Sequence, residues 1–410
     1  MSSPHIGHNI SEVRKIRKLS VRQLATKVNV SVSSMEKYER GSRTVPPGII
    51  AKLAQALSVG PERITGQPYM NGAEAEDQVQ GVIPELRRIM LTYDSPDDLA
   101  VAPRPLPVLA AEAETVARMR QDGRYVPMGP LLPPLLAELT HLALGARVEE
   151  DRRCAFWWLA RAYRASNSLA HKLGYHDLSM AAIERVQWAA DRSADPLMQV
   201  TAAYLKAGAM LRVGSFQSAR RVLTGLEQEV SHLAPEESLS DPQLAVHGGI
   251  LLKLAILEAR DGFPDRAQQR LIEARATAAF LGERDTDHYE MSFGPTNVRI
   301  HEIASLIDSG DTEQALARLA EWGEDQQRDE WALPLDLAAE RASHHHIDVA
   351  SAQLAEGHRA QSFASLRRAR TLSPNHTRFH PTVRAVSGTL VRLDRSQDEE
   401  LAAFAHWVGA

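Results

Sequence analysis

The stretch LSVRQLATKVNVSVSSMEKYERG, residues 19–41, decides the fold of the N-terminal part of the chain. It contains two short segments with apolar residues at helical spacing, separated by Asn29. Ser20 and Ser31 precede these segments, where a hydroxyl can accept hydrogen bonds from the free amides of a helix start. Asn29 tolerates the left-handed conformation of a tight turn, and Gly41 is a natural helix end. The stretch therefore predicts two helices joined by a tight turn.

Further helices are predicted on both sides of this stretch. Apolar residues at positions 10, 13 and 16 predict a preceding helix over roughly residues 10–18. Pro47 suits the start of a fourth helix and Pro61 the start of a short fifth helix. We expect residues 1–9 to have no fixed structure. The pattern predicts a five-helix helix-turn-helix domain at residues 1–65.

The second helix of the pair presents polar residues on its outer side. When such a helix lies in the major groove, the outward residues of its first turns reach base edges. The arginines at its far end and in the next loop are placed for phosphates, as are the amino ends of the two helices. The candidate DNA-binding residues are Ser20, Arg22, Ser31, Val32, Ser33, Ser34, Lys37, Arg40 and Arg43.

Charge is distributed unevenly along the chain. Residues 1–60 hold ten Lys and Arg against three Asp and Glu, a net charge of +7. The whole chain carries −5, so the remainder carries −12. A basic head on an acidic body fits attraction to DNA at one end of the protein.

The run from Leu19 to Gly41 resembles the Cro and phage-repressor class of helix-turn-helix domains, also called the xenobiotic-response-element class. The resemblance covers about 55 residues. One departure is Val21, where that class often has a glutamine that touches phosphate, so Arg22 or Ser20 would have to replace that contact. The alternative is a helix-turn-helix that contacts only protein, which the outward polar and basic residues disfavour.

Composition limits what the rest of the chain can be. At 410 residues the chain exceeds one domain, and its single cysteine, Cys154, excludes an internal disulfide framework. We expect a cytoplasmic protein without a secretion signal or a membrane span. Beyond residue 105 the chain is rich in Ala, Leu, Arg and Glu, which predicts an all-α body. We place a polar linker at residues 66–83 and the body at residues 84–410.

A glycine followed five residues later by alanine or serine recurs through the body. The pairs are Gly174/Ser179, Gly214/Ala219, Gly262/Ala267, Gly310/Ala315 and Gly357/Ser362. Successive glycines are 40, 48, 48 and 47 residues apart. An apolar residue follows each glycine by nine positions, namely Ile183, Leu223, Leu271, Leu319 and Leu366. Each glycine is expected to end one helix, and the small residue lets a second helix pack closely against it, so the pattern predicts a stack of helical hairpins.

This pattern resembles tetratricopeptide repeats, whose unit is about 34 residues, although the intervals here are longer. An unrelated helical bundle is the alternative. The head and the stack together resemble the helix-turn-helix and tetratricopeptide regulators of Gram-positive bacteria, which include peptide-sensing quorum regulators and many proteins of filamentous actinobacteria. The resemblance implies a homodimer on a palindromic double-stranded operator. It also implies a small peptide or metabolite in the concave groove of the superhelix that controls operator affinity.

The segment FGPTNV, residues 293–298, interrupts the helical pattern. Asn297 and His301 lie four residues apart and share one helix face. A side-chain amide is a good clamp for a peptide backbone, and the resemblance favours Asn297 for this role. The alternative is a structural loop in which Asn297 caps a turn. The candidate ligand-binding residues are Asn297, His301, Phe293, Tyr204, Arg212 and Asn167.

The sequence gives little support for metal binding or for catalysis. The run His344-His345-His346, with Glu340 and Asp348 at helical spacing, suggests a metal site. No second ligand cluster is apparent, so we expect these histidines to be surface or packing residues, with no metal and no cofactor. No catalytic motif is recognisable, so we expect no enzyme. The rival to a ligand-controlled regulator is a constitutive DNA-binding scaffold that docks protein partners.

Overall fold

The computed structural model describes residues 5–68, 79–232, 238–394 and 398–410. Within these ranges the regular structure is helical, apart from one isolated antiparallel bridge between Thr286 and Phe293. The prediction of an all-α fold, with a helix-turn-helix head and a repeat-like helical body, is confirmed. None of the helices in these ranges combines the length and the apolarity that a membrane crossing needs.

Five helices form the head, namely α1 (Ile6–Ile16), α2 (Val21–Lys27), α3 (Val32–Arg40), α4 (Pro47–Leu57) and α5 (Pro61–Thr65). The predicted caps are present: Ser20 Oγ accepts from Gln23 N at 3.1 Å, and Ser31 Oγ accepts from the backbone of α3 at 3.0 Å. Asn29 has a φ of 57° and Gly41 a φ of 67°, the left-handed values that the turn and the helix end require.

The first helix begins earlier than the sequence pattern suggests. It starts at Ile6, so the expectation that residues 1–9 lack fixed structure is wrong for residues 6–9, while residues 1–4 lie outside the described ranges. Ile16, counted as part of the apolar face, is 64% exposed. The additional first turn of α1 is stabilised by a residue far along the chain, because the Asn9 side chain donates a hydrogen bond to Ile64 O at 3.0 Å.

The body begins with four helices that precede the repeats. They are α6 (Ile83–Leu91), α7 (Leu106–Gln121), α8 (Tyr125–Met128) and α9 (Leu132–Gly145). Of the residues assigned to the linker, 69–78 lie outside the described ranges. Val79 and Ile83 lie in the last part of the predicted linker, and both are buried in the core that these helices form.

Five antiparallel hairpins follow. Their helix pairs are α10 (Glu149–Leu173) with α11 (His176–Ser193), α12 (Pro196–Arg212) with α13 (Phe216–Ser231), α14 (Asp241–Asp261) with α15 (Pro264–Ala279), α16 (Pro295–Ser309) with α17 (Thr312–Asp325), and α18 (Ala339–Ala355) with α19 (Arg359–Leu372). Three helices close the chain, namely α20 (Pro374–Phe379), α21 (Pro381–Leu393) and α22 (Glu399–Val408).

The glycine repeat marks the turn of every hairpin. All five glycines are left-handed, with φ between 76° and 94°, a conformation that glycine adopts without strain. The small residue five positions later is at most 2% exposed in each hairpin, and the apolar residue nine positions later is at most 4% exposed. The repeat therefore corresponds to a structural unit in which two helices pack closely at a small side chain.

The head packs on one edge of the stack of hairpins. At this edge the first helix of each hairpin ends and the turn to the second helix begins. Gln55 of α4 donates to Val213 O at 3.1 Å, at the turn of the second hairpin. A Cβ added at Gly48 would lie 3.3 Å from Cβ of Arg260, near the turn of the third hairpin. These contacts to successive hairpins fix the orientation of the head on the body.

Candidate DNA interface and the first-helix face of the body

Helix α3 presents its predicted base-reading residues to solvent. Ser33 and Lys37 are exposed, and Val32 and Ser34 are half-buried. The opposite side of the helix is buried, with Met35 fully covered. Packing of the head on the body therefore leaves the reading side of α3 uncovered.

Two predicted DNA contacts are helix caps in the structure. Ser31 Oγ accepts from Ser34 N and also lies 2.9 Å from Ser34 Oγ, to which it donates. Ser20 Oγ accepts from Gln23 N, so the Ser20 hydroxyl proton remains for a phosphate oxygen. Of the two serines, Ser20 is thus the better placed to bind the DNA backbone.

Exposed cations surround α3. Arg22, Lys37, Arg40 and Arg43 all have exposed side chains. Arg40 Nε donates to the carbonyl of Glu36 at 3.2 Å, which keeps its guanidinium along the helix. Such a set of solvated cations on a basic domain suits the phosphates of a nucleic acid.

A buried ion pair that the sequence analysis did not identify fixes α3 on α1. Arg14 Nη2 donates to Glu39 Oε2 at 2.8 Å, and both side chains are 11% exposed. The hydrogen bonds that Arg14 donates to Glu39 raise the pKa of Arg14, so the guanidinium keeps its charge. Gly7 of α1 allows the two helices to approach closely, because a Cβ at this position would lie only 2.1 Å from Tyr38 O. These contacts hold the C-terminal half of α3 closely against α1.

The C-terminal end of α3 is held by the body. Arg392 Nη2, in α21, donates to Gly41 O at 2.8 Å, and Thr389 Oγ1 lies 3.2 Å from the same oxygen. These partners are 348 and 351 residues away from Gly41, so no local pattern predicts them. A displacement of α21 would move the end of the reading helix.

The predicted break before α16 is a loop folded into the body. Phe293 is fully buried and packs on Gly248, where an added Cβ would lie 2.1 Å from the ring. Asn297 is 1% exposed, and its Nδ2 donates to Ser292 O at 2.8 Å. Its Oδ1 is buried and has no hydrogen-bond partner within the described ranges. Phe293 and Asn297 thus hold the loop, and a ligand could reach Asn297 only after the loop moves.

Glu290 anchors this loop to helices that lie more than a hundred residues earlier. Its carboxylate accepts from Arg120 Nη2 at 2.7 Å and from Arg161 Nε at 2.9 Å, while Arg164 Nη2 donates to its carbonyl at 2.8 Å. The backbone at Tyr289 and Glu290 has φ of 53° and 54°, a strained conformation that these contacts must offset. Burial would raise the pKa of Glu290, but the attraction of the three arginines outweighs burial and lowers it to about 2.

Asn167 is a packing residue of the first hairpin. It is 7% exposed, and its Oδ1 accepts from Ser179 Oγ at 2.7 Å. The hydrogen bond joins α10 to α11 at the small residue of the repeat. The position of Asn167 therefore does not support its predicted contact with a ligand.

The other predicted ligand residues lie on the first-helix face, the surface formed by α12, α14, α16 and α18. Lys253 Nζ lies 4.4 Å from the ring centre of Tyr204. A Cβ added at Gly208 would lie 3.6 Å from Lys253 Nζ and 3.9 Å from Arg212 Nη1. Gly208 thus lies within van der Waals distance of both cations and brings them next to each other on this face.

The first-helix face carries cations without an ion-pair partner in the described part of the chain, as well as two neighbouring aspartates, Asp308 and Asp348. Arg212 and Lys253 form no ion pair with a carboxylate of the described ranges, and Nε of Arg341 is buried there without a hydrogen-bond partner. Burial, with Arg260 nearby, lowers the pKa of Arg212 to about 10, so it remains charged at neutral pH. Burial, helped by Arg341, lowers the pKa of His301 to about 3, so its imidazole is neutral. Desolvated cations of this kind attract an anion.

Comparisons with known proteins agree with the geometry of the head. Residues 5–65 match the family described as helix-turn-helix domain. The uncharacterized HTH-type transcriptional regulator RghRB of Bacillus subtilis (strain 168) is 36% identical over 90 residues, which are 22% of this chain and 59% of that protein. The HTH-type transcriptional repressor RghR of the same strain is 44% identical over 54 residues, 13% of this chain and 40% of that protein. The chain thus covers less than two thirds of the length of either relative.

Proposed function

We propose that the chain is a sequence-specific transcription regulator that reads double-stranded DNA with α3. The observation that carries this proposal is the exposure of Ser33 and Lys37 on a helix whose C-terminal end is fixed to α1 and to the body, beside the exposed Arg40 and Arg43. The names of the two Bacillus subtilis relatives, a transcriptional regulator and a transcriptional repressor, support it. In this proposal residues 1–65 bind DNA and residues 66–83 form the linker. Residues 84–410 sense a ligand and dimerise.

Selection of bound duplexes from a random pool tests the proposal and identifies the operator sequence at the same time. The full chain should enrich one palindromic sequence within a few rounds, since base-edge contacts discriminate between sequences. A pool that is bound but stays random would identify a sequence-independent binder instead.

We expect the regulator to be a two-fold dimer. One helix-turn-helix contacts one half-site, and dimers of this class read two half-sites about 34 Å apart or a multiple of that distance. The body offers the larger surface for a stable interface. Light scattering at micromolar concentration, with and without the selected duplex, should give twice the chain mass of 45.2 kDa. A monomer under both conditions would refute the dimer.

We further propose that the effector is a small acidic peptide or metabolite bound at the first-helix face. The two adjacent cations Arg212 and Lys253, neither of them in an ion pair within the described ranges, support an acidic ligand, and Tyr204 offers an aromatic surface beside them. Arg260 connects this face with the head, because its stem packs on Gly48 while Nε donates to an aspartate of α16 at 2.8 Å. An anion that competes for Arg260 would alter the contact with α4. Switching the operator from mostly bound to mostly free requires a ligand preference of roughly 5.5 kcal/mol between two conformations.

Arg212→Gln should blunt the response to the effector and leave ligand-free operator affinity unchanged. Arg212 is a cleaner target than Asn297, whose amide holds the buried loop. The measurement is operator affinity with and without a cell extract that shifts the wild type, and we expect the shift to fall by about tenfold or more. Arg221→Gln, on the exposed side of α13, is the matched control and should respond like wild type.

Each other outcome has a defined meaning. An Arg212→Gln protein that responds fully would place the effector elsewhere. Loss of its ligand-free operator affinity would make Arg212 a structural residue. If no extract changes the operator affinity of the wild type, the protein is the constitutive DNA-binding scaffold.

A further inference from the structure

Three histidines from separate elements meet inside the body. His344 lies in α18, His376 in α20, and His380 directly before α21. Each offers one ring nitrogen, and these nitrogens all lie within 4.8 Å of one another. His376 is fully buried, and the other two are half-buried. We propose that His344, His376 and His380 bind one divalent transition-metal ion, with zinc as the best fit.

The spacing of the nitrogens suits a tetrahedral ion. His344 Nδ1 and His376 Nε2 are 3.3 Å apart. Two nitrogens that each lie about 2.0–2.1 Å from a tetrahedral zinc are separated by about 3.3 Å. Three imidazoles without a thiolate suit zinc, copper or nickel rather than calcium or magnesium. A water molecule or a small anion would complete the coordination.

The outward nitrogens of two of these rings face carboxylates. His344 Nε2 lies 3.7 Å from Asp348 Oδ2, and His376 Nδ1 lies 3.5 Å from Glu340 Oε1. The hydrogen-bond partner of His376 Nδ1 is Tyr125 Oη at 3.3 Å, and a partner behind a histidine fixes the ring and its tautomer, so that the opposite nitrogen can bind a metal. Lys172 Nζ is paired with Glu340 Oε1 at 2.8 Å, which reduces the repulsion between Lys172 and an ion.

Ligation would also affect helix α21. His380 Nδ1 accepts a hydrogen bond from Thr382 N at 3.2 Å and so caps this helix. Binding through Nε2 moves the ring proton to Nδ1, and binding through Nδ1 uses its lone pair, so either mode breaks the cap. The other end of α21 carries Arg392, which holds Gly41 at the end of the reading helix. The metal site therefore lies on the helix that connects the body to α3.

A metal site is not expected from the sequence, because no second cluster of ligands is apparent beside His344. His376 is 32 residues away, and only the packing of α20 on α18 brings the two rings together. The consecutive His345 and His346 drew attention to the right helix, but neither belongs to the cluster of ligand atoms. The isolated histidines at 376 and 380 carry no spacing signal by themselves.

Titration of the full chain with Zn²⁺ after dialysis against a chelator tests the site. Wild type should bind one ion per chain. His344→Gln should weaken Zn²⁺ binding by at least about 100-fold. Removing a group that only orients a metal ligand already lowers metal affinity by up to about 100-fold, and loss of a ligand itself should cost at least as much. His346→Gln, on the same helix, is the matched control and should bind like wild type. Helical circular dichroism of each variant reports whether it folds.

Co²⁺ in place of Zn²⁺ gives a second measurement on the wild type alone. A four-coordinate site should produce intense visible absorption that Zn²⁺ abolishes at one equivalent. No stoichiometric binding, the weak spectrum of six-coordinate Co²⁺, or equal binding by a folded His344→Gln protein would each overturn the proposal.

Discussion

Replacing Glu290 by glutamine should lower the free energy of unfolding by about 3–5 kcal/mol, the range for removing one partner of a buried ion pair. The side chain is 5% exposed, and its carboxylate lies within 3 Å of Arg120 and Arg161, with Arg164 3.7 Å away. Glutamine keeps the shape of the side chain but not its charge. Arg120 and Arg164 would then stay largely buried without this counter-ion, Arg161 would keep only Glu114, and the strained backbone at residues 289–290 would lose its anchor.

Urea unfolding followed by circular dichroism measures this effect. Glu283→Gln is the matched control, since Glu283 is exposed in the preceding turn and should change the free energy of unfolding by no more than about 0.5 kcal/mol. If Glu290→Gln proved as stable as Glu283→Gln, the loop would not depend on this ion pair.

Acid should have the same effect as the substitution. The pKa of Glu290 is lowered to about 2 from an ordinary 4.5, so its contribution to stability is complete above about pH 4.5 and is lost as the pH falls towards 2. Wild type and Glu290→Gln should therefore differ most at neutral pH and converge within this window. A difference that stays constant from pH 7 to pH 2 would assign the effect to packing instead of charge.

Lys37→Ala and Ser33→Ala should each cost about 1–3 kcal/mol in affinity for the operator and little for unrelated duplexes, because base-edge contacts exist only at the right sequence. Both side chains are exposed, so the substitutions leave the core of the head intact. Fluorescence anisotropy with the operator and with a scrambled duplex measures the two affinities. An operator preference that survives both substitutions would refute the assignment of these positions.

Arg40→Ala and Arg43→Ala serve as the contrasting pair. Both are exposed cations near the same helix, but we assign them to phosphates. They should weaken binding to all duplexes alike and reduce the salt slope by about one unit each. A change in sequence preference in either variant would place that arginine among the base-reading residues.

The head could be predicted from the sequence because its signals are local. The hydroxyl of Ser20 and the left-handed backbone of Asn29 and Gly41 each act within one turn of their own position. The hairpins could be predicted for the same reason, since a left-handed glycine and a small residue five positions later are requirements of the turn itself. Gly174 and Ser179 show both features.

The contacts between distant segments could not be predicted in this way. The sequence pattern locates the break at residues 293–298, but the neighbouring loop is held by Glu290, which binds arginines 170 and 129 residues away. Side-chain pairs at such separations leave no periodicity in the sequence. The same limit applies to Arg392 and Gly41, and to the approach of His376 to His344.

The most direct test of the central claim is the ratio of two affinities of the full chain. One is for the selected palindrome, and the other is for a scrambled duplex of the same composition at physiological salt. We predict a ratio of about 10³ or more, the lower end for specific DNA-binding proteins, because α3 reads base edges. A ratio near one, with both duplexes released equally by salt, would show that the head only neutralises phosphates and would contradict the proposed function.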